Sequence, residues 1–290
     1  MVPNALTFDV EDWHQLVGQR ITGTPWPCSE RAVAQTHEIL AFLDDAGVKG
    51  TFFVLASVAQ TFPDLVRQIH AEGHEIGSHG WSHRLVYRQT PGEFATETRR
   101  SKALLEDIVG AEVRGYRAAE FSITAASRWA LGVLAELGFA YDSSIFPIRG
   151  GRYGMPESPL GPYRVRSGAG GAIVEVPMTA IDWCHRRWAV GGGGYFRLMP
   201  YAVTRAAIAR VNAARRGAVI YFHPYEFTRE PLRLPLPPWQ RYISSARYTW
   251  LHNLNRGANR RRFVRLLREF RFEPIWEILK NDGCPDQAVL

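Results

Sequence analysis

Short apolar runs alternate with helical segments along most of the 290-residue chain, and this alternation limits the possible folds most strongly. Uninterrupted apolar runs are typical of parallel strands that are covered on both faces. Strands that alternate with helices predict a parallel α/β fold, either an open sheet or a closed (β/α) barrel. The predicted strands are 5–9, 50–55, 74–77, 113–117, 139–142, 173–177 and 218–222.

Capping residues set the helix boundaries. Ser29 is a predicted N-cap for a helix over 30–46, and Gly47 ends it. The sequence Thr90-Pro91-Gly92-Glu93 has the pattern of a capping box, which predicts a helix to about Val109. Further helices are predicted over 63–72, 124–137, 200–215 and 259–270, with loops up to about Pro27, over 147–170 and over 224–256.

Five polar residues share one position in this pattern, because each lies at or just after the carboxyl end of a predicted strand. In a (β/α) barrel these strand ends form one rim, where active sites are found. The sequence therefore predicts that these side chains meet at one site: Asp9, His79, Arg117, Asp142 and His223.

Two of the sequence patches near these strand ends carry metal-ligand chemistry. His79 and His83 are four residues apart, a spacing that on a helix puts both rings on one face. The acidic patch at 9–12 directly follows the first strand. Two imidazoles and one carboxylate leave positions on a metal open for water and substrate, which is a known hydrolytic arrangement.

The remaining polar residues could complete a hydrolase. We predict Asp9 as the general base and His223 as the general acid. Arg117 could orient the base through a bidentate ion pair, and Asp142 could hold an imidazole in place.

Composition excludes several classes of protein. No apolar run approaches the roughly 20 residues that span a bilayer. We expect no signal peptide, because residues 1–4 do not open a basic n-region and an apolar h-region. The three cysteines are far apart and predict neither a metal cluster nor a disulfide framework. We therefore expect a reducing, cytoplasmic setting in a bacterium, with the inner face of the membrane as an option.

The chain carries a net charge of +7, with many arginines near its end, such as Arg260, Arg261 and Arg262. A solvated helix face is one interpretation, and attraction to a lipid-phosphate carrier or membrane surface is the other. Nucleic acid is not expected as a partner, because no recognisable binding motif accompanies the charge.

Taken together, these residues resemble the polysaccharide deacetylase family, carbohydrate esterase family four. The narrower resemblance is to the branch associated with exosortase-linked exopolysaccharide biosynthesis clusters. The resemblance covers about residues 5–280, and its motifs are LTFDVEDW (6–13), GTFFVL (50–55), GHEIGSHGWSHRLVY (73–87), VRGYRAAEFSIT (113–124), YDSSIFPIRGGRYGMP (141–156), VGGGGYFRLMPY (190–201) and YFHPYEF (221–227).

This resemblance implies a single-domain α/β fold, a distorted parallel (β/α) barrel with fewer than eight regular strands. The barrel would cover 1–280, including a C-terminal extension from about 224, and leave 281–290 as a tail. It implies a divalent metal, usually Zn²⁺, bound by Asp-His-His, and hydrolysis of the N-acetyl group of a hexosamine. Asp9 matches the family's base, His79 and His83 match its metal histidines, and Arg117 matches its base-orienting arginine. His223 matches the general acid, and Asp142 is a looser match for the acid-tuning aspartate.

The chain departs from the family pattern in two places. Val10 stands where many relatives have the metal-binding aspartate, so the metal carboxylate would be Asp12 or Glu11. Strand alternation favours Glu11, whereas a turn after Val10 favours the shorter Asp12, which we prefer. Ala119 and Glu120 stand where the branch commonly has proline and serine, and Glu120 adds negative charge near the metal.

Three functions follow as hypotheses. The first is N-deacetylation of a polysaccharide or lipid-linked saccharide, with peripheral membrane contact as an option. The second is hydrolysis of a small cyclic or linear amide, as in allantoinase-like relatives, and the third is non-catalytic saccharide binding. An aromatic groove favours a sugar; its predicted members are Trp13, Trp81, Tyr195, Phe196 and Trp239, with Glu120 beside them.

Overall fold

A curved sheet of short strands forms the centre of the fold. The computed structural model describes residues 1–22, 26–166, 171–234, 243–281 and 286–289. Its strands are β1 (Asn4–Val10), β2 (Thr51–Val54), β3 (Glu75–Ser78), β4 (Gly115–Tyr116), β5 (Tyr141–Asp142), β6 (Tyr163–Arg166), β7 (Ala172–Glu175), β8 (Ala180–Trp183), β9 (Arg186–Ala189), β10 (Val219–Phe222), β11 (Phe272–Glu273) and β12 (Asp286–Val289).

The strand order confirms the predicted barrel-like architecture. Neighbouring strands follow the order β10-β1-β2-β3-β4-β5-β7, and every pair in this row is parallel. Beyond β7, the antiparallel β6 and then β12 extend the sheet, while β11 pairs with β1. Within the described part of the chain, the parallel row has fewer than eight strands, as the family resemblance implied.

Helices connect the strands, and several of them pack against the sheet. They are α1 (Trp13–Thr22), α2 (Glu30–Ala46), α3 (Ala56–Thr61), α4 (Pro63–Ala71), α5 (Pro91–Val109), α6 (Trp129–Glu136), α7 (Gly193–Leu198), α8 (Tyr201–Ala213), α9 (Ile243–Asn253), α10 (Arg256–Glu269) and α11 (Ile275–Asn281). None of these described helices combines the length and apolar character needed to cross a membrane.

Two of the three predicted helix caps are present in the structure. Thr90 and Glu93 form the predicted reciprocal capping box at the start of α5. Gly47 ends α2 in the left-handed conformation, with a φ of 62°. Ser29 is the residue before α2, but its side chain caps nothing there and instead donates to Asp12. The serine therefore fixes the acidic patch to the start of α2.

Several elements were missed by the sequence predictions. The segment after the acidic patch forms α1, the predicted 147–170 loop contains β6, and the irregular segment 224–256 contains α9. The antiparallel hairpin of β8 and β9 was not predicted either. Residues 281–290, expected as a tail, include β12, which pairs with β6.

An aromatic core joins the sheet to the C-terminal extension. The Phe8 ring stacks on Phe52 and meets the edge of Phe263 in α10, and all three side chains are fully buried. Burying aromatic rings contributes strongly to stability, since truncating one to alanine costs about 3–5 kcal/mol. The core thereby holds β1 in place, and with it the acidic patch at its carboxyl end.

Candidate active site

The carboxylate of Glu11 lies just after the carboxyl end of β1, beside the two histidines. Glu11 is buried, and its Oε2 lies 3.0 Å from His83 Nε2 and 3.5 Å from His79 Nε2. That oxygen makes no hydrogen bond of good geometry among the described residues. Ligands about 2.1 Å from a tetrahedral metal lie about 3.4 Å from one another. The three atoms are therefore spaced as ligands of one cation, and Glu11, His79 and His83 fit a divalent metal.

The histidine pair reaches this arrangement without a helix, contrary to the spacing argument. His79 follows β3, and the chain then turns through a loop in which His83 adopts a positive φ of 58°. The Nδ1 atom of His79 donates to the carbonyl of Arg117 at 2.8 Å. Because that carbonyl can only accept, the bond leaves Nε2 free to face Glu11.

Asp12, our preferred metal carboxylate, lies elsewhere. Its Oδ2 accepts from the backbone and hydroxyl of Ser29 at 2.7 and 2.5 Å, and its Oδ1 accepts from the His14 backbone at 2.8 Å. Burial raises the pKa of Asp12, but the hydrogen bonds from His14 and Ser29 outweigh it and lower the pKa. The preference for Asp12 was wrong on this geometry, because alternation along β1 continues through Glu11 and turns Asp12 away.

Asp9 and Arg117 form the predicted buried ion pair, but it is not bidentate. Arg117 Nη1 donates to Asp9 Oδ1 at 2.9 Å and to Thr7 Oγ1 at 2.7 Å. Its Nε and Nη2 donate to the carbonyl and hydroxyl of Ser143. The guanidinium donors are thus shared among the oxygens of three residues and the sulfur of Met178, and Phe53 packs against the guanidinium face at 4.2 Å. Asp9 keeps its Oδ2 directed towards His223, at 4.0 Å from Nε2.

His223 is held by a residue that the sequence predictions did not assign. Its Nδ1 lies 2.8 Å from Glu226 Oε1, while its Nε2 lies 3.2 Å from Glu11 Oε1. Burial lowers the pKa of His223, but the carboxylates of Glu11 and Glu226 raise it overall, to about 9. A cation on Glu11 would cancel part of that effect, and the Glu226 contact would remain. Glu226 stands three residues after His223 in the motif His223-Pro224-Tyr225-Glu226, so the sequence already indicated this partner.

Asp142 does not hold an imidazole among the described contacts. Its carboxyl group accepts from the hydroxyl and backbone N–H of Ser144 and lies beside the buried Glu175. Burial is the largest cause that raises the pKa of both Asp142 and Glu175, which fits a shared proton. Ser144 in turn accepts from the Ala118 backbone, so Asp142 supports the loop that carries Arg117.

Four consecutive glycines, residues 191–194, allow close packing beside this site. A Cβ on Gly193 would lie 2.1 Å from both carboxylate oxygens of Glu226, and one on Gly192 would meet the Tyr221 ring at 2.6 Å. Arg197, from the same short helix, places its Nη1 3.9 Å from Glu226 Oε2. The glycines therefore let α7 and its arginine lie against the carboxylate that holds His223.

A cavity of about 390 Å³ opens over these residues. Trp13, Glu120 and Tyr195 line it as predicted, with Glu120 at a φ of 51° and paired with Arg152 at 3.2 Å. Trp81 is not in the lining and lies under Arg100, Phe196 is fully buried, and Trp239 lies outside the described residues. Further aromatic lining residues were not predicted: Phe121, Tyr153, Tyr221 and Tyr225.

A larger cavity of about 510 Å³ lies away from this chemistry. It is lined by residues at the other ends of the strands, including Lys49, His74 and Trp276. The charged groups that converge on a reacting centre lie in the smaller cavity, which we therefore take as the active site.

The fold and the metal-ligand geometry define the class as a parallel (β/α) barrel with a two-histidine, one-carboxylate site. Residues 5–141 match the family model described as "Polysaccharide deacetylase", and residues 143–280 match "Domain of unknown function (DUF3473)". The similarity to the polysaccharide deacetylases thus extends over just under half of the chain, residues 5–141.

Individual relatives agree with that family. A peptidoglycan-N-acetylglucosamine deacetylase of Bacillus cereus is 35% identical over 75 residues, which cover 26% of this chain and 28% of that protein. The match to the curated relatives thus spans well under half of their length.

Two solved structures share the fold. A Mycobacterium smegmatis structure assigned to the polysaccharide deacetylases has a TM-score of 0.63, with 20% identity and coverage of 99% of this chain and 93% of that chain. The Puue allantoinase has a TM-score of 0.60, with 15% identity and coverage of 96% and 89%.

Proposed function

We propose that this protein is a metal-dependent hydrolase that removes the N-acetyl group from an N-acetylhexosamine in a saccharide. The observation that carries the proposal is the convergence of Glu11, His79 and His83 beside an arginine-held Asp9 and a carboxylate-held His223. The family-model match over 5–141 supports the same reaction.

The metal would be held by Glu11, His79 and His83, and we propose Zn²⁺, since two nitrogen ligands and one oxygen ligand suit it. When bound, it supplies Lewis acidity to an acetamide carbonyl and lowers the pKa of a water molecule. Glu11 and His79 are buried and His83 is partly buried at the floor of the cavity.

Asp9 accepts one proton in the reaction, and His223 donates another. Asp9 Oδ2, the oxygen that Arg117 leaves free, takes a proton from the water that attacks the acetamide carbonyl. His223 Nε2 gives a proton to the departing sugar nitrogen, so that the C–N bond breaks and acetate and a free amine form. Because Glu226 contacts Nδ1, the acidic proton is directed through Nε2.

The remaining assignments are proposals about substrate and setting. We propose Trp13, Tyr195 and Glu120 as sugar-binding residues, on their place in the cavity lining. A lipid-linked saccharide is the proposed substrate, supported by exposed apolar side chains at the cavity mouth, Leu198 and Leu251. The exopolysaccharide branch and the cytoplasmic location stay predictions from the sequence.

Acetate release tests the proposed reaction. We expect purified protein loaded with Zn²⁺ to release acetate from N-acetylglucosamine oligosaccharides, and chelation to abolish release until metal is restored. Asp9→Asn keeps the size of the side chain but cannot act as the base, so we expect activity to fall by roughly 10²–10⁴-fold. Allantoin serves as the comparison substrate. Hydrolysis of allantoin without acetate release from any acetylated saccharide would refute the proposal.

A further inference from the structure

Exposed apolar side chains lie on α7, α8 and α9, in addition to those on the β8–β9 hairpin. Two of them, Leu198 in α7 and Leu251 in α9, are 46% and 37% exposed and also line the mouth of the active-site cavity. Trp250, next to Leu251, is 64% exposed, and Val203 in the first turn of α8 is 47% exposed. Large exposed apolar groups that cluster in this way mark interaction surfaces. We call these four residues the mouth patch.

The mouth patch is built on fixed elements. Arg197 Nη2 donates to the Leu251 carbonyl at 3.4 Å, and Asn255 Nδ2 donates to the Arg197 carbonyl at 3.4 Å. Arg262 of α10 donates to the carbonyls of Arg197 and Met199, at the end of α7. The helices α7 and α9, which carry Leu198, Trp250 and Leu251, are therefore fixed to each other and to α10.

A basic helix face borders the mouth patch. Arg261, Arg265 and Arg268 lie four and three residues apart on α10, so they share one face, and all three are exposed. Arg265 lies over the ring of Tyr201 at the start of α8. Arg265 pairs with Glu269, but Arg261 and Arg268 form no ion pair with any residue that the structure describes.

Exposed tryptophan and leucine beside unpaired arginine match the chemistry of an anionic bilayer surface. Apolar side chains enter the boundary between headgroups and acyl chains, and arginines attract anionic headgroups at about 1 kcal/mol each. Because the patch is continuous with the cavity mouth, docking there would bring the mouth to the bilayer. We propose that the mouth patch and the α10 basic face dock this protein on an anionic membrane surface, where the active site meets membrane-held substrates.

Membrane docking itself needs no catalysis. Only the statement that the active site meets membrane-held substrates rests on the proposed function. The chain also offers a matched control. Trp183 in β8 is 60% exposed and packs against Trp188 on the β8–β9 hairpin with tilted rings, and neither residue lines the active-site cavity. If exposed tryptophan alone caused membrane binding, the hairpin would bind as well as the mouth patch.

Vesicle co-sedimentation tests the proposal with the full-length protein. We expect binding to vesicles of equimolar phosphatidylglycerol and phosphatidylcholine, and little binding to phosphatidylcholine alone. Trp250→Glu and Val203→Glu should each weaken binding roughly tenfold, because apolar burial is lost. A double variant, Arg261→Gln with Arg268→Gln, should weaken it and reduce its dependence on salt. Trp183→Glu should bind like the wild type.

Catalysis separates this proposal from the proposed function. Trp250 and Val203 do not line the cavity, so their variants should keep wild-type acetate release from soluble oligosaccharides. Folded protein that releases acetate but ignores anionic vesicles would overturn the docking proposal alone. Loss of vesicle binding in Trp183→Glu but not Trp250→Glu would also overturn it, as would self-association through the patch without vesicle binding.

Discussion

Adding one methyl group at Gly193 should disable the general acid without unfolding the protein. The added Cβ would lie 2.1 Å from both carboxylate oxygens of Glu226, whereas such contacts are essentially never below 3.0 Å. Glu226 must therefore move by about 0.9 Å. Because its carboxylate is the end of a flexible side chain, it can move at small cost to folding.

The displacement should break the 2.8 Å contact between Glu226 and His223 Nδ1. Losing an orienting partner, or misplacing a reacting group by about 1 Å, commonly costs about 10–100-fold in rate. We expect Gly193→Ala to lower kcat by that factor, equivalent to about 1.4–2.7 kcal/mol in the activation barrier. KM should change little, because Gly193 does not line the cavity.

The assay is acetate release at saturating substrate and metal, with a melting curve for each variant. Gly257→Ala is the control, since it also adds a methyl to a helical glycine but meets nothing within 4 Å. Bound zinc should stay stoichiometric in both variants, because neither change touches Glu11, His79 or His83. Gly193→Ala protein that is folded, loaded with metal and fully active would refute the role given to Glu226.

Two further predictions concern the buried scaffold. His74 is buried against Phe52, and its Nδ1 accepts from the Gly50 backbone; burial and the nearby Lys49 lower its pKa to about 4. The folded state thus resists protonation, so stability should be full above about pH 6.5 and fall by about 3 kcal/mol as pH drops towards 4. His74→Asn keeps a hydrogen-bond acceptor but cannot titrate. In chemical denaturation, its free energy of unfolding should fall less than that of wild type as the pH is lowered. An equal fall in both proteins would contradict the role given to His74. Arg117→Lys keeps the charge but loses the guanidinium donors shared by Asp9, Thr7 and Ser143. We expect kcat to fall about 10²-fold while the metal stays bound. Near-normal activity would show that Asp9 needs no arginine.

The sequence pattern anticipated those features that depend on local chemistry. The capping box at Thr90 and the glycine end of α2 at Gly47 follow from nearest neighbours, and both are present. The placement of polar residues at strand ends brought Asp9, His79, Arg117 and His223 together, because parallel strands share one rim.

The features that were missed depend on contacts between distant segments. Asp12 turned away from the metal ligands because Ser29, 17 residues later, binds its carboxylate. Glu226 was visible in its motif, but its importance rests on the close approach of Gly193, 33 positions earlier in the chain. The chain after the acidic patch is rich in residues that favour turns, yet α1 forms there because Trp13 and Val17 are buried in a cluster with Tyr225.

Metal occupancy is the most direct test of the central claim that Glu11, His79 and His83 hold the catalytic metal. Metal-free wild type, Glu11→Ala and Asp12→Ala would be titrated with Zn²⁺, with bound metal and acetate release measured at each point. We predict that wild type binds one zinc with activity proportional to occupancy. Asp12→Ala should still bind zinc despite lower stability, and Glu11→Ala should bind at least about tenfold more weakly and lose activity. Full zinc binding by Glu11→Ala, with loss in Asp12→Ala, would contradict the claim.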